Sequence, residues 1–240
     1  MRRLHTWHVV LGLILAGSSA IAARAAGHSP KGELVFTVYV HNYAQVDAKT
    51  LSNAEIVATG IFRNAGVEAH WADAQEVSNG SPADLTETES NVLSNLRVYI
   101  LPQEMAQRLG MPDNVMGLAP GKGPNRLLVY VFDQWLKALA ERQVDEQMRG
   151  TIPWHATVAQ ILGAMMAHEL GHILLNLPSH SESGIMKGDW DLKAMCDAAF
   201  GLLLFTRQQA EVIRAEVTRR NSDHASVVQN VESTSVAFEL

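Results

Sequence analysis

The chain has 240 residues, 47% of them apolar and 18% charged, which is ordinary globular material with room for one full core or at most two small ones. One compact domain is the default. The formal charge of −6 argues against nucleic acid or an anionic membrane surface as a partner.

Arg2 and Arg3 precede an apolar run from Trp7 to Gly17, and small residues follow with Ala-x-Ala sites ending at Ala22 and Ala25. This order reads as a secretory signal peptide over residues 1–25, and hence an exported protein, periplasmic or extracellular. The run is well short of the roughly 20 apolar residues a spanning helix needs. No later segment reads as both long enough and free enough of charge to span, so no stable membrane insertion is expected once the leader is cut. Cleavage after Ala25 removes three arginines and no acid, leaving 16 basic against 25 acidic residues and a charge of −9. Cys196 is the only cysteine, so an intrachain disulfide is excluded and the thiol is expected to be a small buried apolar group.

One domain is expected over residues 26–220. Within it, residues 33–40 (ELVFTVYV) are rich in β-branched and aromatic side chains and predict a strand, followed by a helix over 51–66 that closes at Gly66. Residues 67–72 predict a second strand, and the polar, acidic stretch from Asp73 to Ser90 a surface loop. Residues 96–101 (LRVYIL) and 126–132 (RLLVYVF) are two more apolar strands. Between them, residues 115–125 contain glycine and lysine but not in the GxxxxGK[ST] order of a phosphate-binding loop, so a glycine-rich hairpin or edge-strand loop is expected. Residues 133–143 are helical by period, and no internal repeat is evident.

Thr157 and Gln160 form a T-x-x-Q capping signature ahead of an apolar run, predicting a helix from Val158 to about Leu175. Its apolar residues go most of the way round, which places it inside the domain. On such a helix His168 and His172 lie about 6 Å apart along the axis and about 40° apart around it, so both imidazoles face one spot. Two neutral ring nitrogens there can bind one zinc ion, and Glu169, roughly 100° round the helix, can reach a water on that ion without being a ligand. Two histidines and a glutamate on an otherwise apolar helix are buried polar groups that need partners, and a metal satisfies them together.

Chemistry at zinc needs a third protein ligand and an open fourth position. Asn176 tolerates the left-handed conformation of a sharp helix exit, and Pro178 prevents continuation, which brings His180 close behind the turn. Glu182 and Asp191 are the competing third ligands, and either would make a carboxylate-ligated site. A second T-x-x-Q signature at Thr206 and Gln209, with Ala210, Ile213 and Val217 as an apolar stripe, predicts a last helix. From Asn221 the chain turns polar and an irregular, loose tail is expected over 221–240.

The run HELGH, a turn, His180-Ser181 and then Gly184-Ile185-Met186 resembles the metzincin clan of zinc metalloproteases, with two helix histidines, a third past a turn and a methionine turn beneath the metal. It also resembles a group of small exported bacterial proteins with predicted peptidase sites, in features from Gly117 to Phe132 and from Leu203 to Arg214. The resemblance implies an α+β fold: a twisted mixed β-sheet, the active-site helix behind it, and a C-terminal helix. It implies zinc held by His168, His172 and His180, Glu169 as general base and acid, Met186 as packing, and a peptide or protein substrate. The alternative is an inactive zincin-like binding protein whose zinc only braces the fold. The chain departs from HExxHxxGxxH: Leu175 and Pro178 occupy the glycine and third-histidine positions, and His180 comes two residues late. Nor does a tyrosine follow the methionine turn, leaving oxyanion stabilisation to zinc and strand backbone groups.

Overall fold

In the computed structural model, residues 34–73, 95–112, 115–120, 127–176 and 180–236 are described. The predicted signal peptide, nearly all of the acidic loop after Asp73, and Leu177–Ser179 lie outside them.

Strands β1 (Val35–Asn42), β2 (Glu68–Asp73), β3 (Leu96–Leu101), β4 (Gly117–Leu118) and β5 (Leu128–Phe132) form one sheet in the order β2-β1-β3-β5-β4. The first four in that order are parallel, and β4 runs antiparallel to β5 as the edge. This is the expected mixed sheet. The helices are α1 (Ala48–Asn64), α2 (Gln103–Arg108), α3 (Asp133–Met148), α4 (Val158–Leu175), α5 (Leu192–Ala199) and α6 (Arg207–Val236). α2 and α5 were not expected: six and eight residues are too few to show a helical period. The stretch from Val115 reads as foreseen, with Gly117 and Leu118 pairing with Val131 and Tyr130.

Burial alternates along β1, so one face of the sheet is sealed and the other half-open. On the sealed face Val38, Val40, Val98, Ile100, Val129 and Val131 join a core with Ala54, Ala58, Ile61 and Phe62 of α1 and the apolar residues of α4. The other face carries Tyr39, His41, Tyr99 and Tyr130. There a smaller cluster of Leu101, Ala106 and Phe132 packs with Tyr99, Leu118 and Tyr130.

α4 is the central element, with 14 of its residues buried. It starts as predicted: the Thr157 side chain accepts from the Gln160 backbone N–H, and Gln160 Oε1 accepts from the Thr157 N–H at 2.9 Å. Val158–Leu175 is long and apolar enough to cross a membrane, which corrects the expectation that no segment after the leader would be; 78% of it is buried within the fold, as in the core helix of a soluble domain.

Two further expectations are corrected. Instead of an irregular tail from Asn221, α6 continues to Val236. Residues 207–236 contain no glycine or proline, and around Asn221 the helix is laced by charged pairs, Arg219 with Glu216 and Asp223, and Arg220 with Glu216. Cys196 is half-buried on α5 and not fully enclosed, because the apolar stripe of that short helix is carried by Ala194, Met195 and Ala198.

Candidate metal centre

The exit from α4 builds the site. Asn176 adopts φ 49° and ψ 39°, the left-handed conformation that its short polar side chain tolerates, and its N–H caps the carbonyls of His172 and Ile173. From His180 the chain folds back on itself. Ser181 N–H donates to the Met186 carbonyl at 2.8 Å, and Ile185 N–H donates to the Leu204 carbonyl at 2.9 Å. This turn brings Met186, 1% exposed, against the underside of α4: a methyl group placed at Gly171 would lie 2.6 Å from the Met186 sulfur.

The turn also orients the first histidine. His168 Nδ1 lies 2.7 Å from the Ile185 carbonyl oxygen, which accepts only if that nitrogen carries the proton, so Nε2 is left with its lone pair toward the site. His168 is 4% exposed, and burial, together with the neighbouring His172 and His180, holds its pKa down to about 4 against the opposing pull of the Ile185 carbonyl. The ring is therefore neutral at neutral pH, the form that ligates.

His180 joins the pair. One ring nitrogen from each of His168, His172 and His180 lies within 4.8 Å of the others, making the one such cluster among the described residues, and the ring of His180 rests against Gly188. The Nε2 atoms of His168 and His172 are 3.2 Å apart. Two nitrogens bound tetrahedrally to one zinc at about 2.0–2.1 Å are about 3.3 Å apart, so this pair already has the required separation. The donor set of three imidazoles fits zinc chemically and leaves a fourth position open.

The competing carboxylates are placed differently. Asp191 uses Oδ2 to pair with Lys187 at 2.6 Å and Oδ1 to cap α5 by accepting from the Ala194 N–H; the Lys187 bond first, and the Ala194 N–H second, hold its carboxyl below the usual range. Glu182 is exposed in the bend after Ser181.

Glu169, 4% exposed, follows His168 on α4 and lays its carboxylate against Gly117 of the edge strand β4. Burial alone pushes its carboxyl up to about 8.

Two contacts near the site had no signal in the sequence. Trp190, in the segment after the methionine turn, lies edge-on against His168 with ring centroids 5.8 Å apart. Gln209, read only as a cap, does more: its Oε1 accepts from the Thr206 N–H at 2.9 Å while its Nε2 donates to Ser181 Oγ at 3.2 Å, tying α6 to the residue after His180. The capping motif was legible, but the second contact spans 28 residues and has no local signal.

No protein-family model matches the chain, and no curated protein matches it. Among solved structures, the crystal structure of a zinc-dependent peptidase from Methanocorpusculum labreanum (strain Z) is similar over 73% of this chain and 99% of that one, with 12% sequence identity and a TM-score of 0.43.

Proposed function

We propose that this chain is a zinc-dependent endopeptidase in which His168, His172 and His180 hold the ion and Glu169 is the general base. The observation that carries the reading is the convergence of three imidazole nitrogens within 4.8 Å, with a buried carboxylate one residue along the helix from His168. A site serving only to brace the fold would favour a fourth protein ligand and has no use for Glu169.

When bound, zinc supplies a Lewis acid that polarises a carbonyl and makes water acidic near neutral pH. The remaining work falls to the chain. Glu169 accepts a proton from the water attacking the scissile carbonyl and returns it to the leaving amine. Burial raises the Glu169 carboxyl to about 8, which makes its ionised form a stronger base than an exposed carboxylate and its protonated form an acid at neutral pH. Ile185 holds His168 in the ligating tautomer through its carbonyl. β4 is a two-residue edge beside Glu169, and an extended peptide is the substrate class that can pair with such an edge. The N-terminal leader adds export to this reading, with residues 26–220 as the catalytic domain.

The test is zinc content and peptide-library turnover measured on the same sample. The expected result is one zinc per chain, turnover lost in chelator, and a Glu169→Gln variant that keeps zinc while losing at least about 10²-fold in kcat. His180→Ala is expected to lower zinc affinity sharply, with Asp191→Asn and Glu182→Gln near the parent. Release of zinc by either carboxylate variant instead would replace His180 as third ligand. A zinc-bound parent that cuts nothing would leave an inactive zinc-braced binding protein.

A further inference from the structure

The geometry points to Gly117 as the positioning residue for Glu169: the bare Cα of the edge strand is the seat in which the carboxylate lies. This inference rests on the proposed general-base role of Glu169 and adds a residue on a different element to it.

A methyl group built on Gly117 would overlap Glu169 Oε1 and lie 2.7 Å from both Cγ and Cδ. Carbon atoms at rest approach to about 3.5–4.0 Å, so the side chain and the added methyl cannot share this space. The overlap is specific, because the three nearest atoms to that methyl all belong to Glu169. Backbone conformation is not the reason for glycine here, since Gly117 is not among the residues with positive φ. An alanine can adopt the strand geometry, and a substitution of that kind otherwise tends to favour the folded state.

β4 cannot retreat to make room. Gly117 and Leu118 pair with Val131 and Tyr130 of β5, and the Phe132 N–H donates to the Met116 carbonyl at 2.9 Å, which anchors the strand on both sides of Gly117. The opposite wall is α4, whose backbone at Glu169 is locked in the core between His168 and Leu170, both buried. Of the three parties only the Glu169 side chain is free to rotate. Any side chain at 117 therefore expels the carboxylate from its place, and the histidines, none of which supplies an atom among the three nearest to that methyl, are left where they are.

The experiment crosses Gly117→Ala with Glu169→Ala and reads two independent quantities. The first is urea stability of the full chain stripped of metal. Gly117→Ala is expected to destabilise the parent, and the loss is expected to vanish or reverse in the Glu169→Ala background, where nothing occupies the space. If Gly117→Ala alone does not fold, the double variant is expected to restore folding. The second is kinetics with zinc content measured on the same sample: Gly117→Ala should retain full zinc and lower kcat by about 10²-fold, the cost of misplacing a reacting group by about 1 Å, with KM little changed. Additive stability effects, or parent-like kcat in a fully loaded Gly117→Ala protein, would overturn the assignment. A parent chain that hydrolyses no peptide refutes the catalytic reading of Glu169 instead, and the stability cycle still decides whether Gly117 seats its side chain.

Discussion

Replacing Gly171 by alanine sets two known effects against each other. Within a helix, alanine is favoured over glycine by about 0.8–1.0 kcal/mol, so at an exposed position the change would stabilise. At Gly171 the new Cβ would lie 2.6 Å from the Met186 sulfur and 2.8 and 3.2 Å from Cε1 and Cζ of Phe205. Ordinary contacts are about 3.5–4.0 Å, so each neighbour must yield by several tenths of an ångström or more. The Met186 thioether can swing, but Phe205 is 7% exposed and packs against Phe62 with centroids 5.4 Å apart, which limits its retreat. Overpacking of this kind costs about 1–3 kcal/mol, so it outweighs the helix term and a net loss of about 1 kcal/mol is expected. The displacement also reaches the proposed metal centre, because Met186 follows directly on Ile185, whose carbonyl holds His168. Disturbing a contact behind a ligand lowers metal affinity by about 10–100-fold. Urea denaturation of metal-free protein reads the first effect, and competition with a chelator reads the second. A Gly171→Ala protein that is about 1 kcal/mol more stable than the parent, with unchanged zinc affinity, would refute the packing of the methionine turn against α4.

Thr157→Ala removes the side-chain cap of α4 and is expected to cost about 0.5–2 kcal/mol in urea denaturation, because it orphans a helix N–H and breaks the reciprocal bond with Gln160. Glu55 on α1 is half-buried, and desolvation, with Asp73 adding repulsion, raises its pKa above the ordinary value. The folded state thus disfavours the ionised form, so this group's contribution is most favourable below the usual carboxylate range of about 4.3 and is lost as pH rises through the folded pKa. Glu55→Gln is expected to be more stable than the parent at pH 7, with the difference shrinking as pH falls toward that range; a difference that is absent at pH 7 or grows on acidification refutes the assignment.

What the sequence by itself determined lies within single elements. Alternation and β-branched content marked β1, β3 and β5 to within a few residues, and the Thr157–Gln160 box marked the start of α4. Four-residue spacing put His168 and His172 on one face, and Asn176 was legible as the left-handed exit because few residues besides glycine tolerate it. These features depend on backbone geometry over one or two turns, which the order of residues specifies directly. The continuation of α6 past Asn221 was missed because that segment is polar on all sides, and its helical pairs do not announce themselves through an apolar period. Tertiary structure alone decided the rest. Whether His180, Glu182 or Asp191 met the helix pair depended on how residues 180–186 fold back, and on the capping of α5, which occupies Asp191. The seating of Glu169 against Gly117 joins residues 52 positions apart, on a helix and on a two-residue edge strand. No local pattern encodes that contact, because it exists only once the sheet has fixed β4 beside α4 and close packing leaves room for a hydrogen and not for a methyl group.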